Sequence, residues 1–253
     1  ILERVSHVRD AQEHPLFAAH TEGRHVFIVV TSDKGLAGSL NSAVLKEAYI
    51  RITAHANEDV AVICFGKKSY EFFTRRGYYV PLHFLNLRDE VTLEDMDEVV
   101  AHITEAFTTR AYRSVDIIFQ TFISTFEQHA VHRQLLPLRS SALHEIVEGI
   151  VPARGKYSES VHTARPAAYT VEPNQEAVYR ELFPLLIRIM LYHALLESKA
   201  SEHSARMVAM KNARESSQTK VKELTLIYNK ARQAGITKEI SEIVSGVESM
   251  KDI

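Results

Sequence analysis

Residues 185–250 read LLIRIMLYHALLESKASEHSARMVAMKNARESSQTKVKELTLIYNKARQAGITKEISEIVSGVESM, a stretch with no proline and only two glycines, Gly235 and Gly246. The remaining residues are mostly good helix formers, so the segment predicts a single helix from Leu185 to Met250. At about 1.5 Å per residue it would reach roughly 100 Å. A compact domain of 253 residues is much shorter than that, so the helix is expected to project from its own fold. Helices well beyond about 25 residues are as a rule coiled coils, membrane spans or repeats. The expected role is therefore mechanical or connective.

The apolar pattern narrows the choice. Leu196, Ala200, His203, Met207, Met210, Arg214, Ser217, Val221, Leu224, Tyr228, Ala231 and Gly235 alternate by four and three, which is a heptad seam with polar breaks at His203, Arg214 and Ser217. Beyond Gly235 the phase moves by one position, to Ile236, Ile240, Ile243, Val247 and Met250, and Val244 widens the stripe. A plain coiled coil explains the seam. It explains neither the phase shift nor an apolar tip, which water would leave uncovered. At the other end of the chain, Ile1, Val5 and Val8 follow the same spacing before Pro15 stops it, so residues 1–19 are expected to be the end of a helix already under way.

Between these ends, strands alternate with helices. The run His25–Thr31 (HVFIVVT) is continuously β-branched and aromatic, the mark of a strand buried on both faces. Further strands are expected at Val60–Phe65, Tyr78–Pro81, Ser114–Phe122 and His129–Leu136, with helices at Leu40–His55, Lys67–Arg76 and Thr92–Arg110. This order implies an α/β fold, a Rossmann-like, mostly parallel five-stranded sheet covered on both faces. Residues 20–172 would form this body and residues 173–253 the long helix, joined by a proline- and glycine-bearing loop over Val151–Asn174.

Composition excludes several functions. A net charge of −2 argues against a dedicated nucleic-acid binder. That balance hides ten Lys and Arg against seven Asp and Glu from Ser198 to Ile253, a local +3 that leaves −5 elsewhere and hints at an acidic partner around the shaft. Cys64 is the only cysteine and lies in an apolar run, so it reads as an inert core thiol in a reducing compartment. The richest apolar stretch, Leu182–Leu196, carries Arg188 and His193 and is too short to span a bilayer. The turn after the first strand, Ser32–Asn41, is where an α/β sheet would hold a phosphate. Yet Gly35 and Gly38 do not complete a dinucleotide fingerprint, and Lys34 precedes the glycines where a phosphate-binding loop would have it follow. A tight turn whose Ser32 and Asp33 satisfy backbone donors is the simpler reading. His129 and His132 would face opposite sides of a strand, and no cluster has metal-ligand spacing, so neither cofactor nor metal is expected.

Three segments carry a resemblance. Ser201–Ala213 (SEHSARMVAMKNA) and Leu226–Gly246 (LIYNKARQAGITKEISEIVSG) closely resemble the C-terminal helix of the gamma subunit of bacterial-type rotary ATP synthases, and Thr31–Asn41 (TSDKGLAGSLN) is similar to the family's second signature. The resemblance implies a central-stalk rotor subunit. Its α/β body would sit at the foot of the shaft against the membrane c-ring and the epsilon subunit, and its long helices would form an antiparallel coiled coil. That coiled coil would rise into a hexamer of alpha and beta subunits, whose beta subunits carry the chemistry. The chain would then be a non-catalytic subunit, peripheral to the cytoplasmic face of a bacterial plasma membrane.

Carried over residue by residue, Arg232, Gln233 and Thr237 match positions that bond the catalytic-subunit loops, and Arg206 matches one near an acidic loop at the mouth of the hexamer. Ile236, Ile240, Ile243 and Val247 would complete the partner-contact surface. Two departures stand out. Gly38-Ser39 replaces the family's usual pair of glycines, and most of the family's basic, Met-rich N-terminal helix has no match before Ile1. The alternative readings are a coiled-coil adaptor with an α/β docking domain and a phosphate-binding enzyme using the Lys34–Ser39 turn.

Overall fold

The computed structural model describes residues 14–55, 59–139 and 174–251. Apolar runs buried on both faces build the sheet. Strand β1 (Arg24–Val30) pairs in parallel with β2 (Val60–Phe65) on one side and with β4 (Tyr112–Ser124) on the other. A two-residue strand β3 (His83–Phe84) adds to β2, and β5 (Glu127–Leu136) pairs antiparallel with β4, giving the order β3-β2-β1-β4-β5. The fold is thus the expected mostly parallel five-stranded sheet with one antiparallel edge.

Because successive side chains point to opposite faces, the strands serve two apolar layers. Phe27, Val29, Val62, Cys64 and Ile118 face α1 (Leu40–Ala54) and α2 (Lys67–Thr74), burying Val44, Ala48, Ile52 and Phe73. Val26, Ile28, Val30, Ile63 and Phe65 face the other way, onto α3 (Asp97–Thr108) and the first part of α4 (Gln175–Lys251). Cys64 is fully buried in the layer against α1 and α2, and desolvation pushes its thiol up to about 12, so it is inert core.

Several boundaries differ from the sequence expectation. The third strand is not Tyr78–Pro81: only Tyr79 makes a bridge, to Ala61, and the ladder lies at His83–Phe84. A 3-10 turn, Glu94–Met96, opens the third expected helix before α3 begins at Asp97. The long helix does not wait for Pro184. It starts at Gln175, capped by Asn174, whose Oδ1 accepts the Ala177 N–H at 2.8 Å, and it carries Pro184 inside. An interior proline costs about 3 kcal/mol. Around it Tyr179, Phe183, Leu186 and Ile187 are all buried, each worth about 1.5–3 kcal/mol, so packing outweighs the local break.

Pro15 opens a short 3-10 turn, Pro15–Phe17, whose Phe17 ring meets Phe183 edge-on at 5.1 Å. The expected helix over residues 1–19 and its coiled coil lie largely outside the described residues, as does the loop expected at Val151–Asn174 up to its last residue. The chain divides into two units, Ile1–Arg206 and Met207–Ile253.

Candidate functional site

Thr31–Asn41, the turn after β1, is a piece of architecture. The first N–H groups of a helix have no intrahelical partner and make a natural anion site. At α2 those groups are taken by this turn: Lys67 N–H donates to Asp33 Oδ1 at 2.9 Å, Lys68 N–H to the Ser32 carbonyl at 3.3 Å and Ser69 N–H to Thr31 Oγ1 at 2.8 Å. Asn41 reaches back from α1, accepting the Ser32 N–H at 2.9 Å and donating to its hydroxyl at 2.7 Å. Gly38 has φ 57°, a conformation suited to glycine, whereas Ser39 at φ −87° is in ordinary space for an L-residue. The exchange of the second glycine for serine therefore costs no backbone strain. Leu195, Ser198 and Lys199 of α4 close over the carboxyl end of β1 and leave a cavity of about 10 Å³, too small for a phosphate group.

The signature stretch Ser201–Ala213 begins on the sheet. Strand β4 runs beyond the end of its pairing with β1 at Ile118, leaving backbone groups on that edge without a ladder partner. Helix α4 supplies side chains for them. Gln120 N–H donates to Ser198 Oγ at 3.2 Å, and the Ser201 and Ser204 hydroxyls donate to the carbonyls of Gln120 and Thr125 at 3.5 and 3.0 Å. Glu197 accepts from the Thr121 hydroxyl, from Phe122 N–H at 3.3 Å and from His193 Nδ1 at 2.9 Å. The face turned inward is thus Ala194, Leu195, Ser198, Ser201 and Ser204, whereas the expected seam residues Leu196, Ala200 and His203 are exposed. Serines at a spacing of three were the available signal for this face, but only the overhang of β4 gives them partners.

The predicted contact residues divide between the two units. Arg206 is half-buried and its guanidinium binds Glu202 one turn back at 2.6 Å. In the second unit every described side chain from Met210 to Glu248 is exposed. Ile236, Ile240, Ile243 and Val247 are 48–66 % exposed, and Val221, Leu224, Ile227 and Tyr228 are 60–66 % exposed. Arg232 and Gln233 lie beside this apolar surface, and among the described residues Arg232 has no ionic partner in its own chain. The Thr237 hydroxyl donates to the Gln233 carbonyl at 2.9 Å, an intrahelical bond. Solitary exposed apolar residues are ordinary, but a continuous apolar surface on a soluble chain marks a partner site.

A family model described as ATP synthase matches residues 1–250. The ATP synthase gamma chain of Heliobacterium modesticaldum is 33 % identical over 255 residues, covering 99 % of this chain and 82 % of the relative. That of Roseiflexus sp. is 38 % identical over 228 residues, covering 89 % and 72 %. Among solved structures, a chain from the central stalk and c-ring of the Tetrahymena thermophila mitochondrial ATP synthase superposes with a TM-score of 0.59 at 24 % identity, covering 83 % of this chain and 84 % of that one. A chain from the Euglena gracilis mitochondrial ATP synthase gives 0.63 at 19 %, covering 98 % and 82 %. The structural likenesses carry the fold, and the bacterial relatives carry the family: this chain belongs to the ATP synthase gamma-chain family, the non-catalytic central-stalk rotor subunits of the rotary ATP synthases.

Proposed function

We propose that the second unit, from Met207 to Lys251, is the part of the rotor that turns inside a ring of alpha and beta subunits, with Arg206, Arg232, Gln233 and Thr237 and the stripe Ile236, Ile240, Ile243 and Val247 as its contact residues. The observation that carries this is the exposed apolar surface with an arginine beside it that has no ionic partner among the described residues. An apolar sleeve removes the stripe from water, and a planar guanidinium suits a carboxylate loop in that sleeve. Rotation then transmits torque through shape and charge, and no nucleotide chemistry is required of this chain. The α/β body, residues 20–172, is the foot, against the c-ring and the epsilon subunit; the Tetrahymena neighbour comes from a central-stalk and c-ring structure. Among the described residues no helix is long and apolar enough to cross a membrane. We place the subunit peripherally, on the cytoplasmic face of a bacterial membrane, as its relatives' bacterial sources suggest.

The test replaces Arg232 by Ala in the assembled complex. Turnover and coupling between ion flow and ATP synthesis are expected to fall about tenfold, the loss of one charge-assisted contact of roughly 1.4 kcal/mol, with the sheet unit's unfolding midpoint unchanged. Unaltered turnover would remove Arg232 from the contact surface.

A further inference from the structure

In the sheet unit, His14 holds backbone structure through the lone pair of a titratable ring. It caps the 3-10 turn Pro15–Phe17, and its Nδ1 accepts the Leu16 N–H at 3.3 Å. Pro15 has no N–H, so Leu16 is the first donor of the turn and would otherwise be open. Leu16 is 3 % exposed, which makes water a poor substitute for the imidazole. The turn closes with the Phe17 N–H on the His14 carbonyl at 2.9 Å, and the Leu16 carbonyl accepts the Leu138 N–H at 2.8 Å. One short turn therefore ties the segment before β1 to the segment after β5.

The His14 ring is also packed on α4. It meets the buried Phe183 edge-on, centroids 4.7 Å apart, and Phe17 meets the same ring at 5.1 Å. The elements around the turn carry several charged and titratable groups. On α4, Glu176 and Arg180 are paired with each other at 3.3 Å. On α3, Asp97 is held by Arg188, His102 is bonded to Tyr112, and Glu98 and Glu105 are exposed. His20 lies 4.5 Å from the Phe107 ring of α3, and Arg139 follows Leu138. Burial is the largest influence on His14; Arg180 adds to it and Glu176 opposes it, and the balance holds the imidazole below the ordinary histidine range.

Protonation is incompatible with this arrangement. The added proton goes to Nδ1, the nitrogen that holds the Leu16 N–H, so an acceptor becomes a donor facing a donor. It also sets a cation in the field of Arg180. We propose that His14 is an acid-sensitive latch: neutral, it holds the Pro15–Phe17 turn against Phe183 and Leu138, and protonated, it releases the turn. Because the folded-state value is lowered, the latch contributes in full above the ordinary histidine range and is lost as pH falls through the lowered value. The device lies within the sheet unit and does not depend on what surrounds the long helix.

Amide hydrogen exchange of the full chain, corrected for its intrinsic pH dependence and followed together with the His14 imidazole signal by NMR, tests it. Between about pH 7.5 and about pH 5, protection of the Leu16 and Leu138 amides is expected to fall about fivefold, the loss of one cap, with the midpoint of the His14 titration. In His14→Asn the side-chain oxygen accepts the same N–H and does not titrate in this range, so protection is expected to stay at both pH values. In His14→Ala it is expected to be low at both. Protection in the parent chain that does not change with pH overturns the proposal. So does a pH-dependent loss that His14→Asn retains.

Discussion

At the scale of single residues, the most constrained position is Gly66. It has φ 90°, and a Cβ added there would be driven into the Thr31 carbonyl, which is backbone and cannot swing aside. The close approach exists because Thr31, Ser32 and Asp33 lie across the start of α2 to satisfy its open N–H groups. Gly66→Ala therefore combines left-handed strain with a clash, and is expected to lower the stability of the full chain by at least about 2 kcal/mol, read from the urea midpoint. Asp33→Ala removes one cap and is expected to cost about 1 kcal/mol. If Gly66→Ala proved the milder of the two, the turn would be looser than its geometry implies. Nothing near Gly66 in sequence announces this demand, since its partner lies thirty-five residues earlier.

At the scale of elements, α4 changes character along its length. Up to Ser204 it is a core helix. Tyr179, Phe183, Ile187, Leu191 and Leu195 complete one face of the sheet, and Glu197, Ser198, Ser201 and Ser204 take up the polar groups of the β4 overhang. The serines contribute by removing the cost of unpaired backbone groups at a buried junction, more than through any large energy of their own. Glu197 is the strongest of these links because a carboxylate receives three donors from two elements. Glu197→Ala is expected to cost roughly 1.5–3 kcal/mol and to increase amide exchange at Phe122. An unchanged exchange rate at Phe122 would show that water replaces the carboxylate without penalty.

At the scale of the whole molecule, the two units differ in what keeps their apolar side chains from water. The sheet unit buries its own, on both faces. The second unit leaves Leu226, Ile227, Tyr228, Ile236, Ile240, Ile243, Val244 and Val247 between 48 % and 69 % exposed. A helix without packing relies on propensity alone, which is marginal. Limited proteolysis of the full chain is therefore expected to cut first between about Ile227 and Met250, and incorporation into the rotary complex is expected to protect those bonds. Equal resistance in the two states would mean that the helix supports itself and that no sleeve covers it.

Sequence alone was enough for the mostly parallel sheet of the body, because runs such as residues 26–30 and 60–65 are apolar at every position, and only burial on both faces accommodates that pattern. It was enough for the long helix and for the family too, since helix formers and the signatures at Thr31–Asn41 and Leu226–Gly246 are local properties of the chain. Tertiary structure decided the rest. It moved the third strand to His83–Phe84, where the β2 edge accepts it, and it carried α4 through Pro184 because flanking side chains reach the core. It also turned the serine face, in place of the seam through Leu196 and His203, toward the sheet, and it set His14 and Leu16 against Phe183 and Leu138 from distant segments. The physical reason is the same in each case. Periodicity and propensity act between residues a few positions apart, whereas hydrogen-bond satisfaction, burial and charge act between whichever groups the folded chain brings within a few ångströms.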